Sequence, residues 1–551
     1  MDPDHLPALG LLHHRVSSLD HILQTNNPPS DDEIDQIQYL LHDIERFFTQ
    51  KHGERCDSDE YRLLKASHKA CQSAMSSFRR LPAEILLNIF SLVALPQLDI
   101  GGYCSSNFLD ITQEPWTLTH VNSSWRAITL SHREIWSQIR INLGALSRKY
   151  KLEPPLVMLL CALQRSSNHS LSIDFTDNFL LGTLWPSGSR APELLNALLQ
   201  HSPRWVDVKF TMEYKNFPLL TQAREHLPLL HSLEVYGYGR KMFDILRAFE
   251  VAPSLREVSI GLDAPYTLVL PWLQLTKVQS WLIPVPTVTY WAPLDQTWNV
   301  EDFSLTIAFD QLPPWMSMPV EPPRSVRDIL QHDRMLRLQI NSELALNGLS
   351  APALEVLHIF SHQEESSLEY VTSFLRRSSC SLQSLLLTNA TIHSSLDLMP
   401  LLQSAPSLTF LQVKLGQPNW RILFALLTVK DDQCLLPILT TLRVYFGTDI
   451  SLSCALPGIP EYAVDMVLSR LAGREGVHCL ESIALLELPR PLSSQFLTAL
   501  VKLEELGLNV AHDLRPGDIP QVSLWASEFQ GYSSWRPGLF WNDIPTLPSH
   551  N

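Results

Sequence analysis

Ala405-Pro-Ser-Leu408-Thr-Phe410-Leu-Gln-Val413 is the most informative stretch for the fold, because closely related phrases recur along the chain. Ala252-Pro-Ser-Leu255-Arg-Glu-Val, Leu230-His-Ser-Leu233-Glu-Val and Ala353-Leu-Glu-Val-Leu repeat its pattern. Where the phrase has a proline, that proline ends a preceding helix-like run. The leucine begins a short segment in which apolar and polar residues alternate, and this alternation is typical of a β-strand with one buried face.

Similar segments follow one another over residues 143–512. They start or centre on Leu171, Trp205, Leu233, Leu255, Leu354, Leu382, Leu408, Leu439 and Leu503. Their typical separation is on the order of 23 to 35 residues, the scale on which leucine-rich repeats occur. One such unit cannot bury its own apolar faces, so we predict that successive units stack into an irregular leucine-rich-repeat-like α/β solenoid. The segments at the following positions are expected to be neighbouring parallel strands with helices on the opposite side: Leu233, Leu255, Leu354, Leu382, Leu408 and Leu439.

Two stretches of the chain do not follow the phrase. Between Leu262 and Pro323, prolines and five tryptophans crowd together, which predicts either a distorted set of repeats or a protruding insert. Aromatic clusters of this kind more often fill irregular cores than bind ligands. Residues 513–551 are rich in Pro and Gly and are interpreted as a C-terminal cap or tail.

The N-terminal part of the chain is predicted to be helical after a flexible arm at residues 1–30. From Asp31 onward, apolar residues recur at spacings of three and four, and a second amphipathic stretch runs from about Asp59 to Phe78. We interpret residues 31–79 as a helical hairpin that supports the segment C-terminal to it. A dimerising coiled coil is the alternative, although it normally sustains three or more heptads.

Residues 81–93, Leu-Pro-Ala-Glu-Ile-Leu-Leu-Asn-Ile-Phe-Ser-Leu-Val, predict a short and strongly apolar helix. Pro82 fits the first turn, where its missing N–H costs nothing, and Glu84 lies near the positive end of the helix dipole. Ile85, Ile89 and Leu92 line one face, and Leu86, Phe90 and Val93 line an adjacent face. Such a helix has to be covered on both faces.

A second apolar stretch at helical spacing follows, formed by Leu118, Val121, Trp125 and Ile128, and Ile135-Trp136 comes after it. The ordered combination Leu-Pro-x-Glu-Ile-Leu-x-x-Ile-Phe, Leu-x-x-Val-x-x-x-Trp-Arg and Ile-Trp resembles the F-box family, over residues 80–142. The loop from Leu95 to Pro115 is longer than usual for that family and resembles the insert of fungal F-box proteins. Asn122-Ser-Ser departs from the family, which often has Cys or Ser followed by Arg.

The resemblance implies binding to a Skp-type adaptor, and through it to a cullin, in an SCF-type E3 ubiquitin ligase. The residues that it assigns to the adaptor surface are Leu81, Pro82, Ile85, Ile89, Phe90, Val121 and Trp125. The alternative is that these residues form only a local helical core.

The repeats would then bind a protein substrate. Strand residues that point away from the predicted helices are free to contact a partner while the leucines hold the core. The alternating pattern gives these candidates: Glu234, Tyr236, Glu257, Ser259, Glu355, Gln383, Gln412 and Arg443. The alternative for each is an ordinary solvated strand position.

Composition bounds the class of protein. A chain of 551 residues exceeds one ordinary core, and 45% hydrophobic with 18% charged residues favours a folded protein. The helices predicted in the N-terminal part and the repeated strands after them make the expected fold class α+β to α/β. The formal net charge of -15 disfavours nucleic acid or an anionic membrane as the main partner. The sequence has no signal peptide and no membrane-spanning stretch, so a cytoplasmic or nuclear location is expected. The eight cysteines include no Cys-x-x-Cys pair and are expected to be reduced.

The sequence carries no recognisable catalytic motif, and we expect no cofactor, no metal and no catalytic residues. His358 and His362, with Glu364 and Glu365, form the most metal-like cluster. His358 falls in an expected strand, however, so the four-residue spacing does not put both imidazoles on one helical face. An F-box scaffold without a role in ubiquitination is one alternative function, and an enzyme of unrecognised class is another.

Overall fold

The computed structural model of the chain describes residues 9–23, 28–50, 59–94, 107–144, 155–177, 191–239, 245–261, 268–282, 291, 294–307, 329–360, 368–392, 398–415, 419–430, 434–446, 459–471, 476–486 and 494–512. The chain divides into two compact units. The first comprises residues 1–99 and 103–171, and the second comprises residues 100–102 and 172–551. The tail at 513–551, Trp315 and the residues His362, Glu364 and Glu365 lie outside the described residues.

The first unit is mainly helical. Its elements are α1 (Leu9–Ser18), α2 (Asp20–Leu23), α3 (Asp31–Gln50), α4 (Asp59–Ala74), α5 (Ala83–Ala94), α6 (Trp116–Val121), α7 (Ser123–Ser131), β1 (Gln138–Asn142) and α8 (Pro155–Arg165). A 3-10 turn at Ser77–Arg80 connects α4 to α5.

The helices α1–α4 close around one apolar core, and we call them the N-terminal helical cluster. Its buried residues are Leu12, Leu19, Ile22, Ile37, Leu40, Ile44, Leu64, Cys71 and Ala74. Residues 9–23 therefore differ from the flexible arm that the sequence analysis expected. Leu12, Leu19 and Ile22 recur at spacings of seven and three, which aligns them on one stripe that packs against α3 and α4.

A second core lies among α5, α6 and α7. Leu86 and Phe90 of α5 pack there with Leu118 of α6 and with Ile135. Phe90 is 0% exposed. The apolar stretches at 81–93 and 118–128 thus form short helices around a shared interior.

The second unit is built on parallel strands. They are β2 (Leu171–Thr176), β3 (Trp205–Glu213), β4 (Ser232–Tyr238), β5 (Glu257–Gly261), β6 (Lys277–Leu282), β7 (Asp302–Ile307), β8 (Leu330–Gln331), β9 (Arg337–Ile340), β10 (Leu349–Ser350), β11 (Val356–Phe360), β12 (Ser384–Ile392), β13 (Phe410–Leu415), β14 (Thr441–Phe446), β15 (Ser482–Leu486) and β16 (Asn509–His512). The helices are α9 (Ala191–Leu199), α10 (Leu368–Ser378), α11 (Leu398–Gln403), α12 (Asn419–Leu427), α13 (Ile459–Leu471) and α14 (Ser494–Glu505).

Among the described residues, thirteen strands of the second unit, β2 to β7, β9 and β11 to β16, make one parallel sheet, and β8 with β10 makes a separate short pair. From β2 onward the order of the sheet follows the order of the chain. Parallel strands that always add on the same side need right-handed crossovers, which bring their connections to one face of the sheet. In agreement, α10 contacts α11, and α13 contacts both α12 and α14.

The repeated phrase has a defined structural role. Its first leucine, such as Leu354 or Leu382, is buried just before a strand. The residue after that leucine offers its carbonyl to the next unit. The Glu355 carbonyl accepts from the N–H groups of Gln383 at 2.8 Å and Ser384 at 3.0 Å, and the Gln383 carbonyl accepts from Thr409 and Phe410 in the same way. Successive units are therefore locked together by shared carbonyls as well as by strand pairing.

The prediction that the segments at Leu233 to Leu439 belong to parallel strands of one sheet is confirmed. They are not all neighbours, because β6, β7 and β9 lie between β5 and β11. Strands β6 and β7 lie in the described part of the tryptophan-rich region, and β9 follows that region in the chain. The repeated phrase is hard to find before β7 and β9, because Val300 and Met335 occupy the buried position that is a leucine in other units.

Candidate protein-binding surfaces

The first candidate surface lies on α5, and the start of that helix positions it. The Pro82 carbonyl accepts from the N–H groups of Ile85 and Leu86, both at 3.1 Å. Leu86 and Phe90 are then directed into the core, and Ile85 remains 45% exposed. Ile85, Ile89 and Leu92 share one stripe of the helix because they are four and three residues apart. Leu92 is 68% exposed, so this stripe is an apolar surface.

Helix α7 contributes Trp125 to the same group of helices. Asn122 is the N-cap of α7, and its Oδ1 accepts from the Trp125 N–H at 2.7 Å. The Trp125 ring lies 4.7 Å from the buried Phe90 ring and 6.5 Å from the Phe78 ring, measured between centroids. Trp125 thus sits half-buried at the boundary between core and solvent.

Helix α6 carries Val121, and aromatic contacts hold the start of that helix. The Trp116 indole N–H donates to the Phe108 carbonyl at 2.8 Å, and the Trp116 ring lies 5.0 Å from that of Trp136. The Arg165 guanidinium lies over both rings, at 4.2 Å from Trp136 and 4.9 Å from Trp116. At the other end of α6, Val121 is 55% exposed.

The seven residues assigned to the adaptor surface fall into three groups. Pro82, Ile85 and Val121 are exposed, whereas Leu81, Ile89 and Trp125 are half-buried against the α5–α7 core. Phe90 is a correction, because it is fully buried and supports Trp125 from inside. The residues assigned from the motif do not include three exposed apolar side chains of the same region: Leu92 on α5, Leu130 on α7 and Phe78 in the turn before α5. For Leu92 the signal was present, since it shares the stripe of Ile85 and Ile89.

The second candidate surface is one face of the sheet. It lies opposite the face that carries buried aliphatic side chains such as Leu233 and Val258, and we call it the polar face. Strand pairing aligns a row of mostly polar residues across it: Lys209, Glu234, Ser259, Gln279, Ser304, Gln339, His358, Leu386, Gln412 and Arg443. Six of the predicted substrate residues share this face: Glu234, Tyr236, Glu257, Ser259, Gln412 and Arg443. Ser259 and Gln412 are buried there, so their side chains are not open to a partner.

Glu355 and Gln383 are corrections. They precede β11 and β12 and lie outside both strands, where their carbonyls carry the shared hydrogen bonds between units. Alternation that starts at the first leucine of the phrase would place Glu355 and Gln383 within strands. The strand begins two residues after that leucine, at Val356 and Ser384.

Ion pairs occupy the polar face between β3 and β9. Lys209 pairs with Glu234 at 3.4 Å, and Lys277 pairs with Glu257 at 3.2 Å. Two predicted residues are therefore engaged within the sheet. Tyr236 also has a partner, because its hydroxyl lies 2.8 Å from that of Ser259. Farther along, the Arg443 guanidinium lies 5.1 Å from the centre of the Phe410 ring.

One buried carboxylate ties the ends of three strands together. Asp177, just after β2, accepts from the Glu213 N–H at 3.1 Å and the Asn216 amide at 2.6 Å, and also from the Tyr238 hydroxyl. Burial raises the pKa of Asp177, and these donors oppose the shift. Its oxygens accept from residues at the ends of β3 and β4, so this carboxyl group joins the ends of three neighbouring strands.

Two further observations concern metal sites and membranes. His358 lies in β11 as expected, with its Nε2 2.9 Å from the Thr388 hydroxyl, and burial lowers the pKa of the imidazole to about 4. Within the described residues, no group of three or more His, Cys, Asp or Glu side chains is placed to hold a metal ion. No helix in that part of the chain is long and apolar enough to cross a membrane.

No model of a known protein family matches the chain, and no curated protein matches its sequence.

Proposed function

We propose that this chain is the substrate-recognition adaptor of an SCF-type E3 ubiquitin ligase. In this proposal residues 80–142 are an F-box that binds a Skp-type adaptor, and through it a cullin. The strands of the second unit are a leucine-rich-repeat-like solenoid that binds a protein substrate. The observation that carries the proposal is the exposed apolar surface on α5–α7 at the positions of the sequence motif.

The physical support is the cost of exposing that surface. Single exposed apolar side chains are ordinary, but Ile85 and Leu92 lie on one stripe of one helix, and Val121 and Pro82 are exposed on the same group of helices. Burying a large aliphatic side chain stabilises a complex by about 1.5 to 3 kcal/mol. A partner that covers several of them would therefore gain much of its binding energy here.

The test is co-purification of the full chain with a Skp-type adaptor. Replacing Leu81 and Pro82 with Ala, or Ile85→Asp, is expected to abolish recovery of the adaptor, because buried anchors cost about 1 kcal/mol or more each when truncated. The aspartate adds an unpaired charge to an apolar interface. Leu63→Asp is the matched control, since Leu63 is also exposed but lies on α4. Full adaptor recovery by a folded Ile85→Asp protein would refute the proposal.

The same variant separates the ligase function from the scaffold alternative. Partners captured by the wild type and by Ile85→Asp are compared by affinity purification and mass spectrometry. A substrate should bind both proteins through the polar face but be ubiquitinated only with the wild type. A partner whose ubiquitination and abundance are the same with both proteins would favour the scaffold function.

A further inference from the structure

One exposed aromatic ring beside the α5–α7 surface does not belong to those helices. Phe78 lies in the 3-10 turn Ser77–Arg80 that connects α4 to α5, and it is 51% exposed. Its ring faces Trp125, whose other neighbour is the buried Phe90. The three rings therefore form a row that runs from the core to the surface, and Phe78 is the outer member.

The residue next to Phe78 ties this turn to the N-terminal helical cluster. The Arg79 guanidinium donates from Nη1 to the Ile22 carbonyl at 3.0 Å, near the end of α2. It also lies 3.5 Å from the Ser73 hydroxyl of α4. Burial lowers the pKa of Arg79, and a partly desolvated cation is stabilised by a carbonyl at a helix C-terminus. Ile22 itself is part of the buried core of the cluster.

The end of the turn also contacts the second core. The Leu81 N–H donates to the Phe78 carbonyl, and Leu81 packs against the core of α5–α7. Phe78 thus precedes two residues that contact the two cores of the first unit: Arg79, whose side chain binds the Ile22 carbonyl of the N-terminal helical cluster, and Leu81, which packs against the second core. A ring next to such contacts loses little conformational freedom when a partner covers it.

We propose that Phe78 is a further contact of the adaptor-binding surface, and that the N-terminal helical cluster holds it in place through Arg79. The inference rests on the proposed function. It assigns a role to residues 9–80, which the motif resemblance leaves without one. The occupant is the apolar surface of the Skp-type adaptor, because the exposed face of Phe78 is continuous with Trp125 of the motif.

The experiment measures the affinity of the full-length chain for purified Skp-type adaptor. Phe78→Ala is expected to weaken binding about tenfold, the effect of truncating a buried aromatic anchor. Phe78→Tyr keeps the ring and should bind like the wild type. Tyr39→Ala is the matched control, because Tyr39 is an exposed aromatic residue on α3. Hydrogen exchange of α5–α7 establishes that the helices stay folded in each variant.

A double-mutant cycle tests the positioning role of Arg79. Arg79→Ala alone is expected to weaken binding, and Arg79→Lys, which retains a donor for the Ile22 carbonyl, to restore part of it. If Arg79 acts through Phe78, the double variant Phe78→Ala with Arg79→Ala will bind no more weakly than Phe78→Ala alone. Additive losses would overturn the positioning role.

The outcomes keep this inference apart from the proposed function. If Ile85→Asp abolishes adaptor binding and Phe78→Ala stays within twofold of the wild type, the inference is overturned and the proposed function stands. If Ile85→Asp has no effect on binding, the proposed function fails and the inference fails with it. Loss of affinity in both variants, with Tyr39→Ala unchanged, supports both.

Discussion

Ile85 and Phe90 show how single positions on α5 acquire opposite environments. They are five residues apart, which turns their side chains about 140° from each other around the helix axis. Ile85 is 45% exposed, and Phe90 packs fully inside against Leu118, Ile135 and the Trp125 ring. A substitution at Phe90 would therefore leave a cavity, whereas one at Ile85 changes the surface. Only Ile85 is suited to test partner binding.

His358 leads to a prediction at the same scale. Burial lowers the pKa of its imidazole to about 4, compared with about 6.5 in an unfolded chain. Between these values the unfolded chain binds a proton that the folded chain does not, so the free energy of unfolding falls as pH drops through this window. From pH 7 to pH 5 this group should remove about 2 kcal/mol, and its contribution should be nearly constant above pH 7.

Urea denaturation of the wild type and of His358→Gln at the two pH values measures this contribution. Glutamine keeps a hydrogen-bonding side chain near Thr388 but does not titrate. The wild type should therefore lose about 2 kcal/mol more than the variant between pH 7 and pH 5. An equal loss in both proteins would show that His358 is not the source of the pH dependence.

At the scale of elements, polar side chains end and connect the helices. Asn122 begins α7 by accepting from the Trp125 N–H. In the second unit the fully buried Arg470 of α13 donates to the carbonyls of Leu427, Leu435 and Leu436 at 2.9 to 3.1 Å. It thereby supplies donors to a carbonyl at the end of α12 and to two carbonyls of the loop before β14. Side chains such as Asn122 and Arg470 thus help to fix the positions of helices, although they are not part of the spacing of apolar residues along the chain.

The Asn122 cap can be tested directly. Asn122→Ala is expected to destabilise α7 by about 1 kcal/mol, because the Trp125 N–H loses its acceptor at the N-terminus of the helix. Faster hydrogen exchange in the first turn of α7 is the measurement. Asn122→Ser is the control, since serine is also a preferred cap and should restore protection. Equal exchange in Asn122→Ala and the wild type would contradict a capping role.

At the scale of the whole molecule, each strand of the large sheet from β2 onward pairs only with strands that are close in the chain. Among these described strands the sheet contains no pairing between distant segments, so stability should be distributed as interactions between neighbours. Damage to one strand is therefore expected to spread along the sheet only as far as its nearest units.

Leu411→Ala tests this arrangement. Leu411 is fully buried in β13, and truncating a buried leucine costs about 2 to 5 kcal/mol. Hydrogen exchange should show lost protection in β12, β13 and β14, with β3 to β5 unchanged. Leu233→Ala in β4 is the mirror control and should affect β3 to β5 instead. A uniform loss of protection in all strands would refute the expected locality.

Periodicity along the chain was enough to establish the type and direction of the main elements. Alternation after the repeated leucines predicts strands, and the separation between units is long enough for the crossover connections that parallel pairing needs. The three- and four-residue spacings of residues 34–48, 81–93 and 118–128 likewise predict helices at those places. These properties are local, because the spacing of apolar residues reports which side chains can share one face.

Which of those faces is covered became known only from the packing of distant segments. Phe90 is core and Ile85 is surface because Leu118 and Ile135, distant in sequence, fold over one side of α5. Glu355 and Gln383 lie just before the strands, where their carbonyls accept hydrogen bonds from N–H groups of the next unit. Likewise, β7 and β9 are identified by the strands with which they pair, because Val300 and Met335 stand where the repeated phrase has its first leucine. Burial and pairing depend on neighbours that no local pattern specifies, and these neighbours determine which residues remain available to a partner.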